Sequence, residues 1–165
     1  MTAAVVLASV AFWAPFNFTV VGDDAKPETI KGRARFKRLK TSERRKLDAR
    51  LSANGLDVGI RKSYRDRLDD PVNKLSPKVR ATLEASLAAE PIDDTEFLRE
   101  MLVDWELKDK RGESIPYSLS KVVEICEDWD GFDAALVNSY FNARREALDP
   151  KAAEKNSEGP SGTGT

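Results

Sequence analysis

Histidine does not occur among the 165 residues, and cysteine occurs only once. The first absence removes the commonest general base near neutral pH and the commonest transition-metal ligand. The second excludes an internal disulfide framework, and the position of Cys126 beside Val122 and Ile125 predicts a small buried hydrophobe rather than a nucleophile. The nine glycines form no phosphate-binding loop of the GxxxxGK or GxGxxG type. We therefore predict no cofactor, no metal site and no enzymatic activity.

Long hydrophobic runs are also missing. The segment from Ala3 to Trp13 is apolar, but Pro15 and Asn17 interrupt it before the roughly 20 apolar residues of a membrane span accumulate. No basic residue precedes it, since the first is Lys26, and a secretory signal normally has a basic start. We expect a cytoplasmic protein without membrane contact, in which residues 1–10 are a flexible leader.

Alternating apolar residues predict two strands near the N-terminus. One face of the first strand carries Phe12, Ala14, Phe16, Phe18 and Val20. Turn-forming residues follow at 22–27, and the segment from Glu28 to Arg38 alternates again. We predict an antiparallel β-hairpin over residues 11–38. Because a two-stranded hairpin is marginally stable alone, its Phe-rich face should pack on helices or on another chain.

Helical periodicity begins after Leu39 and continues through residues 41–148. Thr41 or Ser42 is the predicted N-cap of a first helix that ends at Asn54-Gly55. A weaker helical pattern covers residues 60–68, and Ser76-Pro77 begins a helix whose apolar stripe is Val79, Leu83 and Leu87.

The strongest helical pattern follows an Asp93/Glu96 capping box. It predicts a helix with one apolar stripe formed by Phe97, Leu98, Met101, Leu102 and Trp105. After an exposed turn at 108–113, Ser118 caps another helix, and Asp130-Gly131 begins the last one. The predicted fold is α+β and mainly α: one domain over 11–148 with the hairpin packed on four or five helices, followed by a disordered tail at 149–165.

Charge is unevenly distributed although the total is only −1. Residues 26–80 contain 18 basic and 7 acidic residues, a net of +11, whereas residues 81–149 contain 7 basic and 17 acidic residues, a net of −10. Either the two halves neutralise each other within one fold, or the basic end of one subunit contacts the acidic end of the next, which favours self-association.

A basic face on the second strand raises nucleic-acid binding as an alternative function. The residues of this possible patch are Lys31, Arg33, Arg35 and Lys37, followed along the chain by Arg44 and Arg45. Such a face could lie along phosphates. We expect no aromatic residue among these side chains, and the pI of about 5.7 is far from that of a basic domain. A solvated edge strand explains the same pattern, so nucleic acid is the second choice.

Several short segments form a further pattern. They are an aromatic strand containing Ala-Pro-Phe, a strand ending in Phe-Lys-Arg-Leu, a helix ending in Trp, a charged turn with Gly, a Pro-aromatic-Ser helix start and a closing aromatic helix. In this chain they lie at residues 13–16, 36–39, 97–105, 109–112, 115–118 and 135–141. The pattern resembles the tail assembly chaperones of long-tailed bacteriophages.

The resemblance implies a protein that binds the tape measure protein in the host cytoplasm, keeps it soluble, helps recruit tail tube subunits and is absent from the mature virion. A minor structural virion protein is the alternative. The binder of a long apolar-striped chain needs exposed aromatic or aliphatic grooves. The candidate partner-binding residues are Trp13, Phe16, Phe18, Met101, Trp105, Tyr117, Trp129, Tyr140 and Phe141. We expect Phe97, Leu98, Leu102 and Leu136 to be core residues.

Members of this family are often made in two lengths by a programmed ribosomal frameshift. Glu154-Lys155-Asn156 can be encoded as GAA-AAA-AAC, which contains a slippery heptamer. A frameshift at this heptamer would give a longer product joined through a Ser/Gly/Thr-rich linker, whereas an AAG codon at Lys155 would remove the heptamer.

Overall fold

A computed structural model describes residues 10–148 and confirms the predicted fold class. Residues 1–9 of the predicted leader and the tail at 149–165, including the predicted frameshift position, lie outside the described residues. The elements in chain order are β1 (Ala11–Val21), β2 (Pro27–Lys37), α1 (Thr41–Asn54), α2 (Val58–Asp69), α3 (Pro77–Ala88), α4 (Asp94–Met101), β3 (Leu102–Glu106), α5 (Leu119–Asp128) and α6 (Phe132–Leu148).

The predicted hairpin is confirmed. β1 and β2 pair antiparallel from Ala11 opposite Lys37 to Val21 opposite Pro27. The turn between them closes through the backbone N–H of Gly22, which donates to the Lys26 carbonyl at 2.7 Å. The residues that alternation assigned to the apolar face are buried at Ala14, Phe16, Phe18, Val20, Ala34 and Phe36.

A third strand replaces the second half of a predicted helix. The helix that opens near Asp93 ends at Met101, and Leu102–Glu106 forms β3, which pairs antiparallel with β2. The prediction that Leu102 and Trp105 lie on a helix was therefore wrong. Arg35 pairs with Asp104 but Phe36 pairs with Leu102, so β3 contains one extra residue.

This irregularity explains the error. Successive side chains of a regular strand alternate between its faces, which would separate positions 102 and 105. The bulge lets Leu102 and Trp105 both face the core, where they are 2% and 5% exposed. A spacing of three between buried apolar residues is also the spacing of a helix, and the two patterns are indistinguishable by periodicity alone.

Residues 38–96 form one of two compact units, containing α1, α2 and α3. Ser76 caps α3 as predicted. The N-cap of α1 is Lys40 rather than Thr41 or Ser42, because the Glu43 carboxylate reaches back to accept the Lys40 backbone N–H at 2.8 Å. Packing of α3 against α1 and α2 buries Leu83, whereas Val79 from the same predicted stripe stays 40% exposed.

The other compact unit contains residues 10–37 and 97–148. It consists of the three-stranded sheet in the order β1-β2-β3, with α6 packed on the hairpin and α5 packed on α6. Its centre is a cluster of aromatic rings around Phe132 and Tyr140. Phe97, Leu98, Leu102 and Leu136 are core residues as expected. The expectation of one domain over 11–148 stays a prediction.

Candidate partner-binding cleft

A cleft of about 620 Å³ opens in the unit formed by residues 10–37 and 97–148. Its apolar lining comes from the hairpin, the segment after β3, and the junction of α5 with α6: Phe18, Val20, Ile30, Leu107, Ile115, Ile125, Trp129 and Phe132. Phe18 and Phe132 are buried floor residues, whereas Ile30, Ile125 and Trp129 are half-exposed around them. This volume lies within the range of protein clefts that bind ligands or side chains of a partner.

A sharp reversal of the chain places Trp129 at the cleft. Helix α5 ends with the Trp129 backbone N–H donating to the Ile125 carbonyl, and the Phe132 N–H then donates to the Trp129 carbonyl at 3.1 Å. Gly131 has a φ of +84° at this turn, a conformation that glycine adopts without a steric penalty. The reversal lets both aromatic residues contact Phe18, with ring centroids 6.5 Å and 5.4 Å away.

The rim of the cleft is charged and mainly basic. Lys110 pairs with Asp23 at 3.3 Å and lies 3.9 Å from Glu28. The Asp109 carboxylate accepts the backbone N–H groups of Arg111 and Glu113, which fixes the turn. Three further cations line the cleft and have no carboxylate partner among residues 10–148: Lys31, Lys108 and Arg111.

One edge of β2 also lines the cleft. Glu28, Thr29, Ile30 and Lys31 are successive lining residues, so both faces of this stretch border the space. On one side the stretch pairs with β1, but pairing with β3 begins only at Arg33. Within the described part of the chain, the other edge of residues 28–31 therefore has no strand beside it.

Five of the nine predicted partner-binding residues are core residues. Their exposed fractions are 3% for Phe16, 8% for Phe18, 2% for Met101, 5% for Trp105 and 3% for Tyr140. Trp13, Tyr117, Trp129 and Phe141 are half-exposed. Only Phe18 and Trp129 of the nine line the cleft.

Trp105 and Tyr117 show why aromatic residues in this unit are mostly structural. The Trp105 indole N–H donates to the Ile115 carbonyl at 2.8 Å, and the Tyr117 hydroxyl donates to the Leu102 carbonyl at 2.8 Å. Both bonds tie residues 115–117 to β3. Burial raises the pKa of the Tyr117 hydroxyl above its usual value, and the nearby Asp104 carboxylate adds to this rise. The hydroxyl therefore stays protonated as a donor.

The basic face of β2 differs from the expectation in one respect. Trp13 lies on it, opposite Arg35 in the sheet, with the guanidinium groups of Arg33 and Arg35 5.0 Å and 5.7 Å from its ring. The expectation of no aromatic residue on this face was wrong. Arg33 is also paired with Glu106 of β3 at 3.2 Å, which removes part of the positive charge. Arg44 and Arg45 belong to α1 in the other unit.

Cys126 is half-buried on α5 rather than fully buried. Burial raises the pKa of its thiol to about 11, and the carboxylates of Asp133 and Glu127 contribute to the shift. A thiol protonated near neutral pH is a poor nucleophile. Residues 10–148 contain no group of three or more acidic or cysteine side chains placed to hold a metal ion. In the same range no helix has the length and apolar character needed to cross a membrane.

Comparisons of the chain with protein-family models, curated proteins and solved structures gave no match in any of the three.

Proposed function

We propose that this chain is a non-enzymatic tail assembly chaperone that holds the tape measure protein in the host cytoplasm and helps recruit tail tube subunits. The cleft is the observation that carries the proposal. Its half-exposed Ile30, Ile125 and Trp129 surround a buried aromatic floor, so another protein's apolar side chains could enter without unfolding the core. The segments that resemble the family supply the identity of the partner.

The structure changes one element of the resemblance. The segment at 97–105 is a helix followed by a strand, not a helix that ends in Trp. The remaining segments keep their predicted elements: residues 13–16 lie in a strand, 109–112 in a turn, and Ser118 caps a helix. The proposal therefore rests on two observations: the short sequence segments that resemble the family, and the cleft that could bind a partner.

The test is co-expression with a tape measure protein of the same genome. We expect the wild-type chain to move the tape measure protein into the soluble fraction and to be pulled down with it. Trp129→Ala should reduce the soluble, co-purifying fraction about tenfold, because a half-exposed Trp near the centre of an apolar contact surface is a typical hot spot.

Trp13→Ala is the matched control, because it removes a half-exposed Trp from the same unit but outside the cleft. It should leave capture unchanged, and circular dichroism melts should show that both variants are folded. A tape measure protein that stays insoluble beside the wild-type chain would contradict the proposal. Detection of this chain in purified virions would instead favour a structural virion protein.

Nucleic-acid binding is a second candidate because of Trp13. The Trp13 ring between Arg33 and Arg35 lies on a partly exposed strand face and combines aromatic and cationic groups, as single-strand binding surfaces do. Two carboxylates on the neighbouring strand, those of Asp104 and Glu106, weaken the case for nucleic-acid binding, because their negative charge would repel phosphates.

If the basic face binds nucleic acid, single-stranded DNA should retain the protein at low salt and release it as salt rises. Trp13→Ala should then weaken retention several-fold, whereas Trp129→Ala should not. Fluorescence anisotropy with a labelled oligonucleotide measures both. Absence of binding at 50 mM salt would remove this candidate and leave the chaperone proposal untouched.

A further inference from the structure

Four residues of β2 combine an unpaired strand edge with the wall of an apolar cleft. Among residues 10–148, Glu28, Thr29, Ile30 and Lys31 have a strand partner on the β1 side only, and each of them lines the cleft. In an extended strand, alternate backbone N–H and C=O groups point to opposite edges, so this stretch presents main-chain donors and acceptors toward the cleft.

The space beside this edge is bounded by the turn that follows β3. Leu107 and Ile115 belong to that segment, and its backbone–backbone hydrogen bonds run within the segment: Ile115 N–H donates to the Leu107 carbonyl, and Asp109 N–H donates to the Glu113 carbonyl. The backbone after Glu106 thus stops pairing with β2, while the Lys110 side chain reaches back to Asp23 and Glu28. The sheet opens at this point, and the cleft occupies the opening.

Charge indicates which segment would fit the opening. Lys31, Lys108 and Arg111 line the cleft without a carboxylate partner among the described residues, whereas Lys110 is already paired with Asp23. An occupant with carboxylates beside its apolar side chains would neutralise these cations. An occupant with cationic side chains would instead be repelled by these three cations.

We propose that the cleft binds an extended segment of a partner protein, which pairs as an added strand with β2 at Glu28–Lys31 and carries apolar side chains alternating with acidic ones. The apolar side chains enter between Phe18, Ile125 and Trp129, and the acidic ones contact Lys31, Lys108 and Arg111. The inference rests on the proposed function, because it specifies how the same cleft holds its partner. In this binding mode the chaperone binds an extended segment of its partner rather than a preformed helix.

The direct test uses a blocked heptapeptide in which Val and Glu alternate, and a second peptide in which Lys replaces Glu. Isothermal titration at 50 mM salt should give the Glu peptide at least about tenfold higher affinity, and this advantage should shrink at 500 mM salt. The double variant Lys108→Glu/Arg111→Glu should reverse the preference. The control double variant Lys37→Glu/Arg145→Glu changes two exposed cations of the same unit outside the cleft and should not.

Main-chain pairing is tested by methylating the amide nitrogens of the Glu peptide. Methylation of either all Val or all Glu amides removes the donors from one edge of an extended peptide. One of the two methylated peptides should lose binding at least tenfold, and the other should bind like the parent. Amide hydrogen exchange of residues 28–31 should slow when the parent peptide is added.

Two results would overturn the inference: equal affinity for the Glu and Lys peptides, or equal effects of the two methylation patterns on affinity, because only main-chain pairing along one edge distinguishes them. Neither result depends on the tape measure protein. If wild-type chain solubilises that protein but the peptide results are negative, the proposed function stands and only the binding mode is rejected. If the peptides behave as expected but the tape measure protein stays insoluble, the proposed partner is rejected and the binding edge stands.

Discussion

Replacing Phe132 with Ala should lower the free energy of unfolding of the sheet-containing unit by about 3 to 5 kcal/mol. The ring is 1% exposed at the start of α6 and contacts the rings of Phe16, Phe18 and Trp105 at centroid distances of 5.8, 5.4 and 6.4 Å. Its removal leaves a cavity between α6 and the sheet. A loss of this size is a large fraction of the 5 to 15 kcal/mol typical of a folded domain.

Tryptophan fluorescence during urea unfolding measures this effect in the relevant unit, because Trp13, Trp105 and Trp129 all belong to it. Leu148→Ala is the control: it is also a large-to-small change on α6, but Leu148 is 78% exposed. It should change the unfolding free energy by less than about 0.5 kcal/mol. Equal losses in the two variants would contradict the description of Phe132 as the packing centre.

Gly32→Ala should also destabilise this unit, by about 1 to 3 kcal/mol. A Cβ atom at Gly32 would lie 2.6 Å from the Phe16 ring and 2.8 Å from the Glu106 carbonyl oxygen. The ring is buried and the oxygen belongs to the backbone of β3, so neither can move without disturbing the sheet. The clash outweighs the usual advantage of Ala over Gly in a strand.

The same denaturation measurement, together with near-ultraviolet circular dichroism of Trp105 on β3, tests the glycine prediction. Lys37→Ala is a suitable control on the same strand, since Lys37 is exposed and the change adds no atoms to the packed face. A Gly32→Ala variant as stable as the wild type would mean that β2 and β3 are less closely packed than the distances indicate.

Local sequence patterns predicted the elements whose secondary structure depends on neighbouring residues in the chain. Alternation gave the hairpin, because buried and exposed residues alternate strictly from Ala14 to Val21 and less regularly along β2. The caps at Ser76 and Ser118 gave the starts of α3 and α5. β3 could not be predicted because its bulge gives Leu102 and Trp105 a helical spacing, and because its partner strand ends at Lys37, far away in sequence.

The cleft was only partly predictable for the same reason. Its lining comes from four separate stretches of chain, and aliphatic residues such as Ile30 and Ile125 carry no local sign of a binding role. The position of Trp13 was easier to predict, since the alternation that assigns Phe12 and Ala14 to the apolar face leaves Trp13 on the opposite face. What was missing was the register, which puts Trp13 opposite Arg35.

The order of strands in the sheet has a consequence for synthesis on the ribosome. β2 and β3 are neighbours in space, but residues 38–101 separate them along the chain. At about 5 to 20 residues per second, translation of that stretch takes about 3 to 13 seconds, during which the hairpin has neither its third strand nor α6. The nascent hairpin therefore exists for seconds with its Phe-rich face uncovered, before the residues that cover that face are made.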